Sequence, residues 1–234
     1  MTASVPLCWI CGAPADSGEH KSKKSDIKAV FPQVSQKAPL RMHTPARNNR
    51  PIGGFDSPHL KWEKSLCQTC NTTLTQPHDQ AWEAVSNWLR THVPHVAPGM
   101  VVRATEAFPH NTRALLLNMH LYWVKALGCY LVANDATFNL STLANAIRSG
   151  KAEADLYLEF GLGQLLGDQT QIAAQGIFTK GSDGRVNDTL VSWTIGTVAV
   201  RVFYLRGSSP KRNGGRWHPR MNTSRFLIGD FKAI

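Results

Sequence analysis

Acidic residues are scarce in this chain of 234 residues: 16 Asp and Glu stand against 26 Lys and Arg, so the net charge at pH 7 is +10. This shortage excludes a surface with equal numbers of positive and negative charges, and it favours a polyanionic partner such as nucleic acid or an anionic membrane. Residues 1–50 carry eight basic and three acidic side chains, and residues 201–234 carry eight and one. The two basic ends indicate two surfaces that face one phosphate backbone, although a basic tail without a partner fits the same pattern.

The sequence also lacks the segments that are typical of export or membrane insertion. No N-terminal stretch combines a basic start, an apolar run and a small-residue cleavage site, because Pro6 and Cys8 interrupt it. The most apolar window, residues 113–132, contains His120 and Lys125, which makes it a poor membrane span and a better buried helix. Internal repeats and low-complexity tracts are absent as well. We therefore expect a cytoplasmic protein without a membrane partner.

The apolar content of 42% is enough for a substantial core. The segment "VPHVAPG", at residues 93–99, divides the chain into residues 1–93 and residues 100–234. The first unit ends in a predicted helix that begins at Pro77, and the second contains predicted helices at about 111–130 and 139–149. Strand patterns follow in "ADLYLEFGL", "QIAAQGIFTK" and "TLVSWTIGTVAVRVFYLRG", the last of which predicts one long strand or a bent pair. The predicted fold class is α+β, with no role assigned to residues 100–234.

Cysteine is limited to five residues, four of which form two Cys-x-x-Cys pairs: Cys8 with Cys11, and Cys67 with Cys70. Such pairs are typical of a reducing compartment and of a tetrahedral Zn²⁺ site, and two unrelated pairs are the alternative. A site of four cysteines leaves no position for water, so we predict a structural zinc. Cys129, in the apolar window, is predicted to be core.

Polar groups lie close in sequence to both cysteine pairs. Glu19 and His20 follow the first pair, and Asn71 follows the second directly. If zinc joins the pairs, these three side chains can converge. A carboxylate and an amide oxygen suit Mg²⁺, and an imidazole with a pKa near neutrality can deprotonate a water molecule. An ordinary polar loop is the alternative for Glu19 and His20.

The order "CWIC", "GEH", "CQTCN" resembles the His-Me finger (HNH) endonuclease superfamily, and within it the endonuclease VII group of phage recombination nucleases, over about residues 8–90. The resemblance implies a zinc-stabilised ββα unit in which Glu19 and Asn71 hold one catalytic Mg²⁺ or Mn²⁺ and His20 is the general base. This chain has Glu where the family usually has Asp, and Trp62 where it commonly has Asn. An insertion at about 21–66 lengthens the unit. His78 is then a substitute ligand or phosphate contact, or simply part of the first turn of its helix.

Basic residues in three places are predicted to contact phosphates. One group follows the acid and histidine pair, one lies in the predicted mobile loop "TPARNNRPIGG", and one lies in the stretch 206–225, for which a solvated loop is equally compatible. The predicted contacts are Lys21, Lys23, Lys24, Arg47, Arg50, Lys211, Arg212, Arg216 and Arg220.

The sequence thus predicts a metal-dependent endonuclease of phage or prophage origin that hydrolyses phosphodiester bonds of DNA. The alternative is a non-catalytic, zinc-ribbon-like protein that binds nucleic acid or serves as a phage structural protein. The shape of the substrate, its sequence preference, the identity of the catalytic metal and the formation of a homodimer stay open.

Overall fold

Helices and strands are both prominent, and the α+β class predicted from the sequence is confirmed in the computed structural model, which describes residues 5–44, 46–163, 171–207, 216–221 and 224–231. The helices are α1 (Lys24–Val30), α2 (Gln76–His92), α3 (Ala104–Ala107), α4 (Thr112–Ala133) and α5 (Ser141–Ser149). The strands are β1 (Leu40–Thr44), β2 (Arg47–Ile52), β3 (Val101–Arg103), β4 (Leu156–Gly163), β5 (Ile172–Lys180), β6 (Val186–Ile195), β7 (Val198–Leu205) and β8 (Arg225–Phe231). Short helical turns span Pro58–Leu60, Cys70–Leu74, Val93–His95 and Pro219–Met221.

Six strands form one sheet in the order β3-β8-β4-β7-β6-β5. All neighbours are antiparallel except β4 and β8, which run parallel. The long β-branched segment forms two strands rather than one, because the chain reverses at Gly196, where φ is +62° and a residue with a side chain would be strained. Each residue of β6 faces the opposite side from the next, and the buried ones pack towards the helices.

Helix α4 lies between helix α2 and the sheet, which explains why it is apolar on all sides. Three tryptophans mark this layering: Trp82 of α2 contacts Trp123 of α4 at a ring distance of 4.7 Å, and Trp123 contacts Trp193 of β6 at 5.3 Å. All three are at most 2% exposed. The core therefore extends through three layers, with α4 at its centre.

By length and hydropathy, α4 is the one helix in the described part of the chain that could cross a membrane. Its most apolar window is 72% buried inside the fold. A helix at the centre of a protein core has the same apolar composition as a membrane-spanning helix, and the burial of α4 fits the core position.

One cluster of buried apolar residues extends from Cys8 to Ile228 and crosses the predicted boundary near residues 93–99. The packing of α2 against α4 belongs to this cluster. Helix α1 is attached to α2 through the fully buried Asp26, which accepts hydrogen bonds from Trp82 Nε1 at 2.7 Å and Ser86 Oγ at 2.9 Å. The division into two units stays a prediction.

The segment predicted as a mobile loop is in part a strand, so that prediction is wrong for Arg47–Ile52. Strand β2 pairs antiparallel with β1, with Met42 opposite Arg50 and Leu40 opposite Ile52. Its Pro, Asn and adjacent Gly residues are typical of loops, but a two-stranded ribbon has free edges at which proline is tolerated. We call residues 40–52 the hairpin.

Candidate active site

The four paired cysteines form one cluster, in which their sulfur atoms all lie within 4.8 Å of one another. The first pair lies in a tight turn, closed by hydrogen bonds from Cys8 N to Ala13 O and from Gly12 N to Cys8 O. Gly12 has a φ of +78°, a conformation that favours glycine. Four close thiol groups of this kind could hold a structural metal such as zinc.

Two extended segments bring the Glu19–His20 pair beside the chain that leads to the second cysteine pair. Ser17 bridges Leu66, and His20 bridges Lys61, both in antiparallel orientation. We call residues 17–21 the first arm and residues 60–66 the second arm. Gly18 is required at this contact, since a Cβ atom there would lie 2.8 Å from Trp62 O. The chain between the arms contains α1 and the hairpin.

Three of the four predicted catalytic residues meet in one open cleft of about 360 Å³. Glu19 and His20 come from the first arm, and Asn71 comes from the helical turn after Cys70. The other residues that line this cleft are Lys23, Lys24, Ser25, Lys28, Asp79 and Glu83. The cysteine cluster and the two arms together position the cleft.

The His20 ring is held by a hydrogen bond in which Nε2 donates to Phe55 O at 3.2 Å. A carbonyl oxygen can only accept, so the proton lies on Nε2 and Nδ1 keeps its lone pair. Burial lowers the pKa of His20 below its usual value, against a smaller upward effect of this hydrogen bond and of the Glu19 charge. The ring is therefore neutral near pH 7 and can accept a proton at Nδ1.

Asn71 donates from Nδ2 to Ser17 Oγ at 2.9 Å, which fixes the orientation of its amide. Its Oδ1 atom is buried and has no hydrogen-bond partner within the described residues. A buried acceptor without a partner is costly, and coordination of a hard cation would satisfy it. The amide of Asn71 thus fits the role of a metal ligand.

Glu19 contacts a residue that sequence reasoning missed. Its Oε2 atom accepts a hydrogen bond from Lys125 Nζ at 3.0 Å, and the same Nζ donates to Asp79 Oδ1 at 2.7 Å. Lys125 is fully buried in α4. Burial lowers its pKa, but the Glu19 and Asp79 charges outweigh this effect, so the net shift is upward and Lys125 is charged. A lysine inside an apolar helix was the available sign of a buried acidic partner.

His78 lies outside the cleft. Its Nδ1 is 3.0 Å from Asn118 Oδ1 of α4, and the side chain is buried. Burial lowers the pKa of His78 to about 4. His78 was predicted either to contact a metal or phosphate or simply to belong to the first turn of its helix. Its buried position in the first turn of α2 is the one expected for the second alternative.

The predicted phosphate contacts are distributed over several surfaces. Lys23 and Lys24 line the cleft, where they pair with Glu83 and Asp56. Lys21 does not line it, and its Nζ lies 5.1 Å from the centre of the Trp62 ring.

Two arginines belong to the hairpin and two to the stretch 206–225. Arg47 is exposed and Arg50 is half-buried. Arg216 pairs with Glu159 at 3.2 Å, and Arg220 donates to Ala152 O at 3.3 Å, so both contact the fold away from the cleft. The predicted contacts Lys211 and Arg212 lie outside the described residues.

Comparison with protein-family models, with curated proteins and with solved structures finds no match.

Proposed function

We propose that this protein is a metal-dependent endonuclease that hydrolyses phosphodiester bonds of DNA. The observation that carries the proposal is the meeting of Glu19, His20 and Asn71 in one cleft, although Asn71 is more than 50 residues away in the sequence. The first arm, the second arm and α2 follow one another in the order of a ββα unit. This order supports membership of the His-Me finger superfamily.

Each side chain has a role that follows from its contacts. His20, neutral and with Nδ1 free to accept, takes the proton of the attacking water. Glu19 and the unpaired Oδ1 of Asn71 would hold a divalent cation, Mg²⁺ or Mn²⁺. When bound, this cation supplies stabilisation of the negative charge that develops on the phosphate and the departing oxygen. The zinc proposed at the four cysteines has no part in the chemistry.

The positive charge that favours a polyanionic substrate lies mainly outside the cleft. Three lysines (Lys23, Lys24 and Lys28) and three carboxylates (Glu19, Asp79 and Glu83) line the cleft itself, whereas no acidic residue occurs between Asp26 and Asp56. The hairpin lies within this acid-free segment and ends three residues before Phe55, whose carbonyl accepts the hydrogen bond of His20. A basic ribbon at this place in the chain is suited to contact with phosphates of the substrate.

The test is cleavage of supercoiled plasmid by the purified protein in Mg²⁺, beside His20→Ala and the matched control His95→Ala, which changes an exposed histidine. We expect nicked or linear product from the parent and from His95→Ala. His20→Ala should lose about 100-fold or more in rate, the size typical of a lost general base. Plasmid binding without cutting by the parent would instead favour the non-catalytic alternative, and undiminished cutting by His20→Ala would refute the assignment of the base.

A further inference from the structure

Lys125 carries the one lysine ammonium that is fully buried among the described residues. It lies in α4 one helical turn from Leu121 and from Cys129, which are both buried. Its ammonium group pairs with the two carboxylates of Glu19 and Asp79, at 3.0 Å and 2.7 Å. An ammonium group at such a position must be paired, because desolvation of an unpaired charge is strongly unfavourable.

Stability alone is a weak account of this arrangement, since a buried ion pair often contributes no more than well-packed apolar residues of similar volume. What the pair does supply is orientation. Lys125 is anchored in the centre of the three-layered core, and it contacts Glu19 through Oε2 only, which leaves Oε1 outside this hydrogen bond. A long carboxylate side chain with several rotamers is thereby restricted to a small set of positions.

We propose that Lys125 is a positioning residue, which holds the Glu19 carboxylate in the place where the catalytic cation binds. This inference rests on the proposed nuclease function. Lys125 also offsets one of the two negative charges that Glu19 and Asp79 bring to the cleft, so a phosphate meets less repulsion there. The cleft consequently depends on a helix that lies beyond residue 93, outside the region that resembles the His-Me finger family.

The experiment measures the parent beside two variants. Asp79→Asn keeps the contact between Lys125 and Glu19. The double variant Lys125→Met with Asp79→Asn removes the ammonium and one carboxylate together, so its net charge equals that of the parent, and Glu19 loses its cationic partner. Methionine has a length and shape similar to those of the lysine side chain. Thermal unfolding, plasmid affinity without Mg²⁺ and the maximal cleavage rate at saturating Mg²⁺ are measured for both variants.

We expect the double variant to stay folded and to bind plasmid as tightly as the parent, while it cuts about 10-fold to 100-fold more slowly than the parent and than Asp79→Asn, because small displacements of a catalytic group have effects of this size. Equal maximal rates in the two variants would overturn the proposal. So would an inactive Asp79→Asn protein, since it would show that Asp79, and not the contact of Lys125 with Glu19, is required.

A crystal structure of the double variant provides a readout that does not need nuclease activity. Displacement or disorder of the Glu19 carboxylate supports the positioning role, and an unchanged carboxylate overturns it. If the parent protein cuts no nucleic acid, the proposed function fails, and this structure still decides whether Lys125 orders Glu19.

Discussion

At the scale of single residues, His78 and His20 show how position decides what an imidazole can do. Both rings are desolvated, and burial lowers the pKa of each. His20 lines the cleft with Nδ1 available, whereas His78 is placed between α2 and α4 against Asn118. The first can act on a substrate, and the second is confined to the interior of the fold.

The buried position of His78 predicts a loss of stability in acid. The unfolded chain takes up a proton near pH 6.5, while the folded ring stays neutral down to about pH 4, so stability falls as the pH falls through this window. Between pH 7.5 and pH 5 the parent should lose about 2 kcal/mol more unfolding free energy than His78→Gln. Chemical denaturation at both pH values measures the difference, with exposed His95→Gln as the control. Equal pH dependence in parent and His78→Gln would show that the ring is not held neutral.

At the scale of elements, the two Cys-x-x-Cys pairs determine the positions of the first and second arms. Cys8 and Cys11 precede the first arm, and Cys67 and Cys70 connect the second arm to Asn71 and α2. A metal that joins the two pairs therefore fixes the relative position of the residues that line the cleft.

Removal of the metal should have a correspondingly large effect. A thiol-reactive mercurial should release one zinc per chain, detected with a colorimetric zinc indicator. Cys67→Ser should lack zinc and unfold at a temperature lower by roughly 10 °C or more, since loss of a structural zinc removes several kcal/mol. Cys129→Ala, which changes the buried cysteine outside the cluster, should retain the metal. Protein purified without zinc and with an unchanged thermal midpoint would contradict this prediction.

Sequence patterns predicted the larger elements. Helix α2 has apolar residues at helical spacing, α5 is bounded by Ser141 and Gly150, and α4 and strands β4 to β7 coincide with apolar or β-branched segments; the spacing of the cysteines predicted their cluster. Strands β3 and β8 were not predicted, because β3 has three residues and β8 combines a glycine and an aspartate with its apolar positions.

The candidate site could be predicted only where its residues lie close to a motif. Glu19, His20 and Asn71 flank the cysteine pairs, and the structure brings them together. Lys125 and Asp79 reach the same cleft through tertiary packing between α4, α2 and the first arm. No local pattern encodes a contact between residues that are 106 positions apart.

At the scale of the whole molecule, the excess of positive charge predicts binding to duplex DNA that weakens steeply with salt. Arg47 and Arg50 lie on the hairpin, and neither has an ion pair within the part of the chain that the structure describes. Each phosphate contact that is removed should lower the slope of log affinity against log salt by about 1.

Arg47→Ala and Arg50→Ala should each show this smaller slope, together with weaker binding to all sequences. Fluorescence anisotropy with a labelled duplex, measured without Mg²⁺ over a series of salt concentrations, provides the slope. Lys151→Ala removes an exposed lysine after α5 and serves as the control for general charge. If all three variants lose the same amount of affinity and show the same change in salt slope, net charge rather than the hairpin determines the affinity.

The parallel pairing of β8 with β4 has a consequence for how the protein is made. Strand β8 occupies the place between β3 and β4, although it leaves the ribosome after both of them. During synthesis, β3 has no sheet partner and β4 has one free edge until β8 arrives, and contacts so distant in sequence form slowly. Helix α4 packs on that sheet and contains Lys125, which donates a hydrogen bond to Glu19. A nascent chain would therefore complete the candidate cleft only at a late stage of translation, which in the proposed nuclease would delay cleavage of the DNA of the cell that produces it.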